Sequence, residues 1–291
     1  MSAAPVGPEN AALVQVLEQI QDIAVLPQVV FKVVDLTGST DSSAREMEAV
    51  IVVDPGFSAK LLKLANSAFY GLPRRVTSIR EAITFLGFKA VRQLAMTVGV
   101  FELFLGKTDT ESLRRRAWWR QSVDTGVCAR WLASQTTAVS PEESYTCGLL
   151  HYVGKTLLDH SSPDKYEFCL AALNAGHDDR SAERIAYGCD HVEVAVAVAE
   201  KWGFPEVLTE GLNYVDPPER EDPHRAIRAC TCISHHIAQL AIKGKTQIAS
   251  EDEERALPVW ALEALNLPVS KTDFLILEGS AAIRAHAQLA L

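Results

Sequence analysis

Residues 148–156 read GLLHYVGKT, a run that ends like a loop able to cradle phosphate. Such a loop needs four residues between its first glycine and Gly-Lys, directly after a strand. Here five residues, Leu149 to Val153, intervene, four of them bulky and apolar or aromatic, and the surroundings are helical, which excludes it. Cys230 and Cys232 are two apart in a helical stretch, so their side chains point about 200° apart and cannot chelate one ion together. Cys232 and His236 share a face but lack a third ligand, so they read as a core thiol beside a polar imidazole. Arg114, Arg115, Arg116, Ala117, Trp118, Trp119 and Arg120 mix cations with indoles. Either the tryptophans face a core and the arginines face water, or the segment offers cationic forks to an acidic protein partner. On the second reading, interaction with a partner depends on Arg114, Arg115 and Trp118 more than on His151. Arg74 and Arg75 allow the same pair of readings: a site for phosphate or a partner's carboxylate, or a solvated loop with one arginine capping a helix.

The elements that must position these groups are helices. Asp54-Pro55, Ser140-Pro141, Ser162-Pro163 and Asp222-Pro223 each pair a capping side chain with a proline suited to a first helical position. Capping boxes are expected at Ser43/Glu46, Ser78/Glu81, Ser140/Glu143 and Ser270/Asp273. Gly71, Gly87, Gly176, Gly203 and Gly244 follow helical patterns. Apolar residues recur every three or four positions, as in Leu13, Val16, Leu17 and Ile20, and no segment alternates with period two. About a dozen helices and no sheet are expected.

Composition sets outer limits. The chain has 291 residues, 48% hydrophobic and 22% charged, which excludes global disorder. Lys and Arg number 28 against 37 Asp and Glu, a net charge of −9. Without a basic excess the chain is a poor match for nucleic acid or an anionic membrane. Six cysteines inside apolar segments read as reduced, buried thiols. Met1–Asn10 lacks the marks of a signal peptide, and no apolar run is long enough to span a bilayer, so a cytoplasmic location is expected.

Residues 26–94 carry a specific pattern. It includes Asp54-Pro55, Leu64-Ala65-Asn66-Ser67, Phe69-Tyr70-Gly71, a helix over Ile79–Leu86 and Leu86-Gly87. It continues in GLLHYVGKTLL and GCDHVEVAVAVAEKWGFP. This pattern closely resembles the HDOD domain, an output domain of bacterial signalling proteins related to the HD phosphohydrolases. The resemblance implies an all-α, HD-like helical bundle: residues 1–15 as a leading segment, 16–215 as the domain, 216–291 as a helical extension packed on it. Within it Asp54, Pro55, Asn66, Ser67, Tyr70 and Gly71 are structural, Asn66 as a polar staple to a neighbouring helix end.

The resemblance also says where a metal site would stand. HD enzymes hold a divalent ion with histidines and carboxylates on facing helices, and that ion activates water. The His-Asp pair falls at His151-Tyr152, and a neutral tyrosine is a poor stand-in for a carboxylate ligand. The upstream histidine falls near Gln121, the later pair near Asn213-Tyr214, and the last aspartate near His235; His191 matches a family histidine. The expectation is no metal, no cofactor and no enzymatic activity. Tyr152 and Tyr214 would close the pocket, with His151 as a packing residue and His191 just inside an Asp190 cap. The implied role is a signalling adaptor that contacts proteins, such as two-component proteins or cyclic-dinucleotide enzymes. The alternative is a degenerate HD phosphohydrolase using His151, His191 and His235.

Overall fold

The structure is a computed structural model that describes residues 8–21, 28–38, 42–66, 75–105, 108–245 and 256–289, and every regular element among them is a helix. The chain runs through α1 (Pro8–Gln19), α2 (Gln28–Gly38), α3 (Ala44–Ile51), α4 (Pro55–Ala65) and α5 (Ile79–Leu103). It continues with α6 (Asp109–Ser134), α7 (Pro141–Leu150), α8 (Val153–Ser161), α9 (Pro163–Asn174), α10 (Asp179–Tyr187) and α11 (His191–Lys201). The last elements are α12 (Glu206–Gly211), α13 (Arg225–Ile242), α14 (Val259–Ala264) and α15 (Thr272–Leu289). The expected all-α class is what the backbone adopts.

Two compact units are present, residues 25–102 and residues 1–24 with 103–291. α13 lies against both α6 and α7, so the C-terminal helices complete the core of the larger unit. Cys128, Leu132, Ile233, Ile237, Leu262 and Ile276 are all fully buried in that core.

In the smaller unit, Ser43 and Glu46 form the expected reciprocal capping box on α3. Asp54 accepts from Phe57 N at 2.9 Å and so caps α4. Asn66 ties the end of its own helix to the segment that leads into α5: its amide donates to Leu62 O at 2.9 Å and Val76 O at 2.8 Å, and its oxygen accepts from Val76 N at 2.8 Å. Ser67, Tyr70, Gly71 and Arg74 lie outside the described residues, and Arg75 is exposed. Gly87, at φ 76° and ψ 163°, breaks the helical path inside α5. By length and composition the Ile79–Phe101 stretch of α5 could cross a membrane, a criterion that core helices of soluble proteins also meet.

In the larger unit, α8 and α11 cross in direct backbone contact. A Cβ on Gly154 would fall inside the His191 carbonyl oxygen and 2.9 Å from Ala195 N, so only glycine fits. That crossing brings His151, two residues before α8, beside His191, the first residue of α11. Two expected helix starts are displaced. Asp222 accepts from His224 N at 2.7 Å in a turn, and α13 begins only at Arg225. Ser270 sits in a short 3-10 turn (Val269–Lys271) rather than capping α15.

Candidate functional site

His151 caps the C-terminal end of α7, and Tyr152 departs from helical geometry before α8 begins. The chain therefore bends at this pair and turns both rings inward: His151 is 0% and Tyr152 2% exposed. The rings stack with centroids 4.1 Å apart. Tyr214 meets His151 edge-on at 5.6 Å, and His235, from α13, meets it at 5.0 Å. Tyr152 also stands edge-on to His191 at 5.5 Å.

Hydrogen bonds fix the tautomers by their partners. Nδ1–H of His151 donates to Gly148 O at 2.6 Å, so its Nε2 accepts from His235 Nδ1–H at 3.1 Å. Nε2 of His235 then accepts from the Gln239 amide at 3.0 Å. The chain closes without a charge on either imidazole. Burial, with each neighbouring cation or imidazole adding to it, holds His151 well below its ordinary pKa and His235 down to about 3. Gln121 donates to Tyr152 Oη at 3.3 Å. Burial pushes the Tyr152 and Tyr214 hydroxyls up, so both stay neutral donors.

His191 does more than sit inside a cap. Asp190 caps α11 in a full box with Glu193. The imidazole Nδ1 lies 2.6 Å from Glu183 Oε2, which also accepts from His191 N at 2.9 Å. Beyond Glu183 lies Lys155, with its ammonium 3.8 Å from Glu183 and 2.8 Å from Asp179. Burial alone would lower this ammonium's pKa, but the Glu183 and Asp179 carboxylates together hold it above its ordinary value. Lys155, Asp179 and Glu183 were not singled out from sequence. The signal available was a lysine inside the apolar run GLLHYVGKTLL, which must find an anion if the run is buried.

A divalent metal does not fit these residues. Both ring nitrogens of His151 are committed to hydrogen bonds, the Tyr152 hydroxyl is held protonated by burial and accepts from Gln121, and Glu183 and Asp179 face Lys155. Among the described residues no group of three His, Cys, Asp or Glu side chains is arranged to hold an ion. The Asn213 backbone is tied down at both groups: its N–H donates to Glu210 O at 3.0 Å and its carbonyl accepts from Arg228 Nε at 2.7 Å.

The expected partner surface at the start of α6 is corrected. Arg115 is 1% exposed, with Nε 2.6 Å from Asp159, which is itself fully buried, and Nη1 2.9 Å from Leu105 O. Arg114 also pairs with Asp159, and its guanidinium lies 4.2 Å over the Tyr166 ring. Trp118 is buried edge-on to Tyr166 at 5.2 Å. Arg114, Arg115 and Trp118 are thus structural groups, and the exposed cations of this segment are Arg116 and Arg120. All six cysteines are buried free thiols.

Comparison with known proteins places this architecture. The family model of the HDOD domain matches residues 23–218. A curated relative, an uncharacterized protein of Treponema pallidum (strain Nichols), is 28% identical over 205 residues, which are 68% of this chain. The chain spans only 38% of that relative's length. An HDOD domain protein of unknown function from Geobacter sulfurreducens superposes with a TM-score of 0.68 at 20% identity, covering 94% of this chain and 97% of its own. A provisionally named phosphohydrolase from Shewanella amazonensis SB2B gives 0.69 at 23%, covering 94% and 98%. A provisionally named signal transduction protein from Marinobacter aquaeolei VT8 gives 0.71 at 21%, covering 99% and 67%. At these identities the solved structures establish the shared fold.

Proposed function

The chain belongs to the HDOD domain family, and from that premise we propose that it is a cytoplasmic signal-transduction protein that works through contacts with other proteins and makes or breaks no bonds. The observation that carries this reading is the packing around His151. A hydrolytic HD site needs a metal-bound water in an open position. Here two tyrosines and three imidazoles fill the corresponding space against each other, with His151 inaccessible to solvent. The imidazoles serve as hydrogen-bonded core, and recognition is left to helix surfaces. Its partners in this reading are proteins of a bacterial signalling pathway, of the two-component or cyclic-dinucleotide kind.

The test is direct. Purified protein is assayed with Mn²⁺, Fe²⁺ or Mg²⁺ on phosphomonoesters, cyclic dinucleotides and other phosphodiesters. No turnover is expected, and Tyr152→Asp alone should create none, because Gln121 and Asn213 supply no ligand to complete a site. Metal-dependent turnover that disappears in His151→Ala would establish the rival reading, a degenerate phosphohydrolase.

A further inference from the structure

We infer that the outer edge of α6 and the last turn of α13 dock an acidic segment of a protein partner, which seats one large apolar side chain in the cavity between these helices. This rests on the reading above that the protein works through protein contacts, and adds the surface and the chemistry of what binds there. The cavity measures about 290 Å³. Trp118 and Gln121 of α6 line one side of it, Ile242 and Lys243 at the end of α13 another, and Tyr152 and Tyr166 add aromatic wall. The charges inside already answer each other: Lys155 Nζ lies 2.8 Å from Asp179 and 3.8 Å from Glu183. No ion is needed to balance the interior, so the aromatic walls decide what enters. The volume is at the lower end of ligand sites, which run from about 300 to 1,000 Å³. It suits a single Trp, Tyr, Phe or Leu side chain, the kind of anchor that carries most of the energy of a protein interface.

The rim differs in character from the rest of the chain. The net charge is −9, yet the exposed edge of α6 beside the cavity carries Arg116 and Arg120, one turn apart. By the same helical spacing exposed Leu113 and Ala117 share that edge. Asp124, also on it, is buried and takes Arg120 Nε at 3.3 Å, but the Arg120 side chain stays 66% exposed, so its guanidinium can take a second carboxylate. On the opposite lip Ile242 is 56% exposed. Lys243 beside it is engaged within the chain and also stays exposed. Exposed arginines around apolar positions and a concave anchor site match the make-up of a protein interface. Charge complementarity then selects an acidic partner, since a basic one would meet the arginines. A nucleic-acid backbone would answer the arginines alone and leave Leu113, Ala117 and Ile242 against its phosphates, which favours a peptide.

The experiment uses the full chain. Random dodecapeptides displayed on phage are selected against it, and enriched sequences are synthesised and measured by isothermal titration calorimetry. They should carry several Asp or Glu around one Trp, Tyr, Phe or Leu, and replacing that one residue with Ala should weaken binding at least about tenfold. Affinity should fall as salt rises. The double variant Arg116→Glu/Arg120→Glu should weaken binding at least about tenfold and Ile242→Asp at least about threefold, with the fold checked by circular dichroism. Val269→Asp, an exposed apolar position in the turn before α15, should leave it unchanged. The inference is overturned if no acidic peptide is enriched, if the double variant or Ile242→Asp binds as well as the parent, or if a single-stranded oligonucleotide displaces the peptide from the same face at equal concentration. The two readings fail separately: peptides that bind but ignore both variants strike this surface and leave protein contact standing, and metal-dependent turnover strikes the non-catalytic reading and leaves this surface standing.

Discussion

At the residue scale the central fact is a pair of imidazoles, His151 and His235, kept neutral by burial and by each other's hydrogen bond. A histidine whose folded-state pKa lies below its unfolded value of about 6.5 stays unprotonated in the native state while the unfolded chain takes up a proton. Stability is therefore complete above about pH 6.5 and falls with pH down to the folded value, about 3 for His235. Each such histidine removes about 1.4 kcal/mol per pH unit in that window. His191 and Lys155 face the pair and oppose protonation further; Asp179 acts the other way on His235. His160 and His286, also lowered chiefly by burial, add smaller losses. The urea midpoint should thus hold steady above about pH 6.5 and fall steeply from there to about pH 4.5, and His235→Asn should flatten that slope by about half. A flat profile in the parent protein would show the imidazoles to be solvated. The sequence resemblance brought His151, Tyr152, Gln121, Tyr214 and His235 to one place. It could not show Arg114 and Arg115 pointing inward, because their anion, Asp159, is more than forty residues away and only tertiary packing makes the pair.

At the scale of elements, start and stop signals were legible because they act within one turn. Ser43, Ser140 and Thr108 each accept a backbone N–H three residues on, and Gly176, Gly203 and Gly244 each sit at positive φ after a helix. Thr108 caps α6 without a following proline or a capping box to announce it, and the Asp190 cap expected before His191 is completed into a full box by Glu193. Local signals fail where a proline opens a turn, as after Asp222. They also say nothing of which helices touch. The crossing of α8 and α11 depends on Gly154, and a methyl there has no room against the His191 carbonyl. Gly154→Ala should destabilise by about 2–3 kcal/mol or more and loosen the pairing of His191 with Glu183. Gly176→Ala, where nothing crowds the added carbon, should cost only about 1 kcal/mol for its backbone conformation. Equal thermal shifts for the two variants would mean that the helices separate freely at Gly154.

At the scale of the whole molecule, the all-helical class was plain in the periodicity, but the division into units was not. No proline or charge run marks the change near residue 102, which falls at the last residues of α5. Nor does any local pattern say that residues 1–24 join the larger unit across an intervening one, a long-range choice that only packing makes. The division has a measurable consequence. All five tryptophans, at 118, 119, 131, 202 and 260, belong to the larger unit, so their fluorescence reports that unit alone. Helical circular dichroism reports both units, since α2 to α5 lie mostly within residues 25–102. The smaller unit buries a smaller fraction of its surface, as short chains do, and should be the less stable. A chain of two such units need not unfold in one step. In a urea titration, ellipticity near 222 nm should begin to fall before tryptophan emission shifts, leaving two non-coincident curves. Mutating Gly154 to Ala should move the fluorescence midpoint and leave the early ellipticity loss in place. Superimposable curves with one midpoint would show that residues 25–102 fold only as part of the larger unit.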